Sequence, residues 1–544
     1  MKRWIVILIL VFCWNAAAEE ADLLLKNGTI ITMDDSKPEA SAVAVKGEKI
    51  VWVGDASEAS NWTAKNTRVL DLQGAVVYPG FIESHAHIIG LGQSRSTLDL
   101  VGTPDKQTIL KMVAERAKTE KGWILGRGWD QNDWPEKEFP TASDLDNVSS
   151  GRSVVLERID GHAIWVNSEV LKAAGITKAT QDPQGGKIIR DDQRNATGVL
   201  VDTATGLVER IVPPPSKEDL QRFTLTALEE AASKGITMVQ DAGTSEAALE
   251  TFKKLASSNA LPVRIYSMIS HGSPFAEKFL NQGPSIYGPY LAVRSMKLYM
   301  DGALGSRGAA LLEPYSDDPK NSGLVLIQDN VLMDALQRAK KSGIQVGIHA
   351  IGDRGNRKVL DAYTKNGVKG LRWRIEHVQV LAPTDIPRLS KLGVIASMQP
   401  IHATSDGPWA TDRLGPERVK GAYAWRSLLD QKTIIAGGSD APVEDINPLW
   451  GIYAAITRQD HQGKPEGGWH PEQLVTPKEA LRMFTLDAAY AAFREKELGS
   501  IQPGKLADMV VLPENILTCK PSKLIDMKVQ YTITGGKIRY SVQK

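Results

Sequence analysis

Apolar and polar positions along this chain fall into three textures. After an apolar start, residues 22–33 read as two strands about the Asn27-Gly28 turn, and residues 42–45, 49–53 and 68–72 continue as short strands. The far end has the same texture at residues 508–512, 529–534 and 537–540. A β-rich start and a β-rich end predict one small β-sandwich built from both termini, residues 19–74 and 498–544. Between them, residues 75–497 alternate strand and helix. Buried strands are predicted at residues 75–81, 237–241, 263–269, 294–300, 345–349, 372–377, 394–398 and 433–437. Helical periodicity falls between them, as at residues 217–234, 245–257, 329–341 and 354–365. Eight strands each followed by a helix predict an α/β chain with a (β/α)8 TIM barrel, with a doubly wound sheet as the alternative. The gap between the first two strands is too long for a connection, so residues of about 94–215 are predicted to form an insert.

Composition narrows the class. The chain has 544 residues, 42% hydrophobic, and a formal charge of +1, which describes a globular protein of more than one unit with no basic footprint for nucleic acid. Met1-Lys2-Arg3, the apolar run from Trp4 to Trp14 and Ala16-Ala17-Ala18 read as a signal peptide over residues 1–18, the alternative being an uncleaved anchor. Its removal takes Lys2 and Arg3, and so the charge from +1 to −1, and takes Cys13, leaving Cys519 alone. No internal disulfide is then available, and a bacterial periplasmic or secreted location is expected. The expected partners are a small molecule and, as the oligomer allowed, a second copy of the chain. No nucleic acid and no stable membrane association after leader cleavage are expected.

Candidate chemistry gathers at strand ends. His85 and His87 close the first predicted strand; with a period of two they share a face and can hold one metal, or stand together by coincidence. Lys297 lies on the fourth strand, His349 ends the fifth, His377 the sixth, and Asp440 the eighth. Each has an ordinary reading as a strand-end polar residue or turn former. Jointly, four of the nine histidines at the ends of one barrel, closed by an aspartate, point to a metal centre on the catalytic face.

With these residues in place, the sequence resembles the metal-dependent amidohydrolase superfamily, in its third family with the YtcJ-like proteins and N-substituted formamide deformylases. The opening motif is Pro79-Gly80-Phe81-Ile82-Glu83-Ser84-His85-Ala86-His87, in which Glu83 replaces the commoner aspartate. Arg158-Ile159-Asp160-Gly161-His162 with Trp165 and Asn167-Ser168, Asp301-Gly302-Ala303-Leu304-Gly305-Ser306-Arg307, and Gly499-Ser500-Ile501 through Asp508 carry the rest. The resemblance implies two divalent metals, usually zinc. His85, His87 and Asp440 would hold one, His349 and His377 the other, and Lys297, N6-carboxylated, would bridge them.

It further implies hydrolysis of a non-peptide C–N bond in an amide or formamide, with Asp440 moving the proton of an activated water to the leaving nitrogen. His162 is read as a second catalytic residue at the substrate carbonyl or as a contact that folds the insert. Arg307 is read as a substrate-anion ligand or a tie to Asp301. Trp129 with Asp130, and His402 with Gln399 and Asp406, are read as pocket lining; the insert tryptophans are otherwise its core. Two other functions keep the same residues: hydrolysis of an ester, lactone or cyclic amide, and a non-catalytic exported binding protein on this scaffold.

Overall fold

The structure, a computed structural model, describes residues 20–542 apart from Asp160, His162, Gln184 and Gly185, and only the backbone of Asn132 and Asp202. The leader read at residues 1–18 lies outside the described residues. Among those described, no helix is long and apolar enough to cross a membrane.

Eight parallel strands run in chain order around the centre: Phe81–Ala86, Ile236–Thr244, Arg264–Ser270, Leu291–Tyr299, Gln345–Ala350, Arg374–His377, Ile395–Met398 and Ile435–Gly437. They read as unbroken buried runs because helices cover the sheet outside and side chains fill it inside. The ring closes where the His87 N–H donates to the Ala441 carbonyl at 2.8 Å and the Asp440 N–H to the His85 carbonyl at 2.7 Å. The expected (β/α)8 TIM barrel is therefore present, and the doubly wound alternative is not.

The apolar run predicted as the first barrel strand divides at Gly80. Val76–Pro79 pairs antiparallel with Met509–Leu512 in the terminal sheet, and Phe81–Ala86 enters the barrel. Gly80 is where the chain changes sheets. A Cβ there would lie 2.3 Å from the Thr237 side chain, so only glycine lets the backbone pass. The Asn27-Gly28 hairpin is also corrected: Leu23–Ile31 is one strand. Asn27 adopts φ 63°, and the register with its partner shifts between Lys26 and Ile30, so the pair makes a bulge where a turn was expected.

The terminal strands form one continuous eight-stranded sheet, with Leu25, Val43, Val77, Met509 and Ile533 from both ends of the chain in a shared core. A buried ion pair ties this unit to the barrel: Arg264 on the third strand contacts Asp508 at 2.8 Å and 2.9 Å. Between the first and second barrel strands lies a third unit, a six-stranded sheet from Leu98–Asp99 to Ala196–Asp202, packed around Trp129, Trp134 and Trp165.

Candidate metal centre

The barrel's closing seam builds the centre. The alternation of the first strand turns Glu83 and His85 the same way, and His87 follows as the residue that starts the helix Ile88–Ser94. The hydrogen bonds that close the barrel draw Asp440 against both rings, its Oδ1 3.3 Å from His85 Nε2 and 3.0 Å from His87 Nε2. Glu83 braces the seam: its Oε1 accepts the N–H of His85 at 2.7 Å and of Ser439 at 3.0 Å. A Cβ on Gly438 would stand 2.4 Å from that oxygen, so the glycine makes room for the longer acid. Burial pushes the Glu83 carboxyl up to about 8, against those two hydrogen bonds.

His349 and His377 complete the ring cluster. Their centroids are 4.6 Å apart, and His377 is 4.8 Å from His85. His85, His377 and Asp440 each offer a ligand atom within 4.8 Å of the others. His377 thus lies beside both His349 and the His85–Asp440 pair, with His87 against Asp440. Backbone conformation achieves this: His377, Val378 and Asp440 adopt φ of 77°, 47° and 59°. Such values are uncommon for residues other than glycine, and rarest for a β-branched valine.

Two buried side chains set the rings. Glu376 contacts His85 Nδ1 at 2.6 Å and Arg374 Nε at 2.9 Å, and all three side chains are fully buried. Gln399 Oε1 lies 2.8 Å from His377 Nδ1. With Nδ1 occupied on both, the Nε2 edges are left for a cation, the usual arrangement around metal-ligating histidines. Burial raises the Glu376 carboxyl, but the Arg374 guanidinium and then His85 outweigh it and hold it well below the carboxylate range. Burial likewise raises Asp440, and His85 and His87 more than offset this and keep it ionised. Burial, then Lys297, brings His349 down to about 3; burial, then His349, holds His377 low as well. Neutral imidazoles and an ionised carboxylate fit a divalent cation such as zinc.

Lys297 is 1% exposed with Nζ 3.1 Å from His85 Nε2. Desolvation lowers its pKa to about 8, against the charges of Glu376 and Asp440. His402 also joins the cluster, its ring stacked 6.2 Å from that of His377. Two substrate candidates have partners of their own. Trp129 is 0% exposed, donates its indole N–H to the Leu156 carbonyl at 2.8 Å and packs on Trp134 and Trp165, so it is insert core. Arg307 is held by Asp317 at 2.9 Å, and Asp301 accepts instead from the backbone of Ala310, Ile351 and Gly352. His162 lies outside the described residues.

Sequence reasoning passed over Tyr299, whose ring lies 5.6 Å from His349 and 5.0 Å from Lys297 Nζ. Its position two residues after Lys297 on one strand carried the signal. It also passed over Glu376, whose place next to His377 hid it.

The match to known proteins spans the whole assembly. Residues 68–540 fit the model of the amidohydrolase family. The putative amidohydrolase YtcJ of Bacillus subtilis is 34% identical over 522 residues, covering 94% of this chain and 98% of that protein. The N-substituted formamide deformylase of Arthrobacter pascens is 27% identical, covering 95% and 98%. Among solved structures, an uncharacterized metal-dependent hydrolase of Pyrococcus horikoshii OT3 superposes with a TM-score of 0.79 at 27% identity, over 92% of this chain and 99% of that one. With the barrel, its histidine–aspartate centre and a match along nearly the full length, this chain belongs to the amidohydrolase family and is a hydrolase.

Proposed function

We propose that the protein hydrolyses a non-peptide C–N bond, that of an amide or an N-substituted formamide, at a zinc centre of two ions held by His85, His87, His349, His377 and Asp440. The observation that carries this reading is Asp440: an ionised carboxylate, 12% exposed, with two imidazole nitrogens within 3.3 Å. A divalent metal held by these residues would supply a water acidified to a pKa of about 7 and a Lewis acid for a carbonyl. Asp440 takes the proton that the attacking water loses and returns it to the leaving nitrogen. Its seam position gives it one edge on the histidines and one on the barrel mouth. Glu376 and Gln399 fix two of the rings so that neither turns as charge develops.

Lys297 has the role of anionic bridge in this reading. Burial lowers its pKa to about 8, so more of its amine is neutral at pH 7 and able to add carbon dioxide than in an unperturbed lysine. The relatives support the choice of bond, since one of them is named for deformylation of substituted formamides. The reading includes export, directed by the first eighteen residues, which cell fractionation checks.

The deciding experiment uses protein purified without chelators. Metal content is measured first. A panel of N-formyl amines, acyl amides, esters and lactones is then assayed, and Lys297 carboxylation is followed with carbon-13 bicarbonate. Bound zinc and turnover of amides or formamides are expected. Protein without metal, or hydrolysis confined to esters and lactones, overturns the reading.

A further inference from the structure

One side of the barrel mouth carries hydroxyls that the metal chemistry does not use. The candidate metal ligands come from the first, fourth, fifth, sixth and eighth strands, and the second and third supply none. The ends of those two strands and of the fourth lie on the catalytic face and meet at Gly243. Gly243 is an extra residue in the second strand: the register with the third strand shifts between Ala242 and Thr244, and its φ is 115°. Such a bulge re-aims the chain beside an active site. A Cβ at Gly243 would stand 3.3 Å from Ser270 Oγ and 3.6 Å from the Tyr299 hydroxyl oxygen. Both oxygens therefore border the space that the glycine leaves empty. Ser270 ends the third strand opposite Lys297, and Tyr299 ends the fourth opposite His349.

Neither hydroxyl is satisfied within the protein. Among the described residues, Ser270 Oγ and the Tyr299 oxygen have no hydrogen-bond partner, and they do not bond each other. Solvent reaches all three residues, and Tyr299 is 44% exposed although its ring packs 5.6 Å from that of His349. The same ring lies 5.0 Å from Lys297 Nζ, so Tyr299 extends from the metal centre to Gly243. A phenol titrates at about 10, so at neutral pH its hydroxyl donates, as the serine hydroxyl does. An atom just beyond the Gly243 Cβ point can reach both oxygens at once. Two donors bordering one space are matched by an oxygen with two lone pairs, which a carbonyl has. None of the three residues is charged, which suits an uncharged carbonyl over a carboxylate.

We propose that Gly243, Ser270 and Tyr299 form a specificity notch for a second, uncharged carbonyl oxygen of the substrate, so that the substrate is an amide bearing a further carbonyl beyond the bond that is cut. The proposal rests on the amide-hydrolase reading above and narrows its substrate class to dicarbonyl amides.

The test uses the zinc-loaded full chain. Its substrates are a short series of N-formyl amino amides differing in the number of methylenes between the two groups. Each is paired with the N-formyl alkylamine of equal length and with the matching N-formyl amino acid. At one spacing, kcat/KM for the amino amide is expected to exceed that for the alkylamine by about tenfold. That ratio is expected to fall by about threefold or more in Ser270→Ala and in Tyr299→Phe, which keeps the ring. Melting curves verify folding. Binding is read separately by calorimetry with two zinc-ligating alkanethiols that have no bond to hydrolyse, one carrying a ketone and one not. The ketone is expected to tighten binding to the wild type and not to the variants. Formamide turnover with no preference for a second carbonyl at any spacing, a preference that survives both substitutions, or a larger preference for the carboxylate overturns the notch and leaves the amide reading standing. Ketone-selective binding lost in the variants, with no amide turned over, sustains the notch and overturns the amide reading.

Discussion

Glu376→Gln isolates what one buried carboxylate does for the metal centre. The side chain bridges His85 Nδ1 at 2.6 Å and Arg374 Nε at 2.9 Å with no exposure to solvent. Glutamine keeps the shape and an acceptor oxygen but removes the charge. Loss of such an orienting partner costs about 10–100-fold in metal affinity, or about 1.4–2.7 kcal/mol. Stability falls as well, because Arg374 is left buried without its counter-charge. Breaking such a pair costs about 3–5 kcal/mol. The lower end is expected, since Arg374 keeps the Ser84 carbonyl at 2.7 Å, the Ser397 hydroxyl at 2.8 Å and the Gln240 carbonyl oxygen. Zinc affinity is read by chelator competition and stability by melting of the metal-free protein. The pH dependence has a fixed sign: Glu376 is depressed below its unfolded value, so its contribution is complete above about pH 4.5 and is lost as pH falls through the folded pKa. The gap between wild type and variant should therefore stay level from pH 8 to about pH 5 and close below it. Unchanged zinc affinity in Glu376→Gln would refute the claim that this carboxylate orients and strengthens His85.

Three further outcomes follow from the same geometry. Asp440→Asn should lower kcat by about 10²–10⁴-fold while the melting curve stays cooperative; near-normal kcat removes Asp440 from proton transfer. Gly347→Ala places a Cβ 2.5 Å from Glu376 Oε1, so it should destabilise by about 1–3 kcal/mol and weaken zinc binding in the direction of Glu376→Gln; normal zinc binding would show that the carboxylate has room to shift. Arg307→Ala should change stability by less than about 1 kcal/mol, because its partner Asp317 is also partly exposed and held by Arg413, and a large rise in KM would restore Arg307 to the substrate site.

The barrel was legible because parallel strands buried on both sides leave long apolar runs, and the candidate ligands because each lies at the end of one of them. His85, His349, His377 and Asp440 could be named without coordinates for that reason. The terminal sheet was harder to delimit. Residues 75–81 are equally apolar on both sides of Gly80, and hydropathy does not mark where a chain leaves one sheet for another. The insert was least legible. A tryptophan in a pocket and one in a core have the same pattern in sequence, and Trp129 belongs to the core because its N–H finds the Leu156 carbonyl.

Glu376 was missed for a physical reason. Strand alternation sends neighbours to opposite faces, so Glu376 and His377 could not both be read as facing the centre. They meet there because His377 leaves the strand conformation at φ 77°, and Asp440 turns back toward His85 at φ 59°. Left-handed backbone at non-glycine residues costs of order 1–3 kcal/mol and persists where surrounding contacts over-determine it. Those contacts are visible: Gln399 on His377, and on Asp440 the backbone bond to His85 and both histidine rings. The same departure that defeats a period-two reading doubles the number of functional side chains a single strand end can supply. Glu376 lies on the ring-orienting side and His377 on the ligand side of one centre, from consecutive residues.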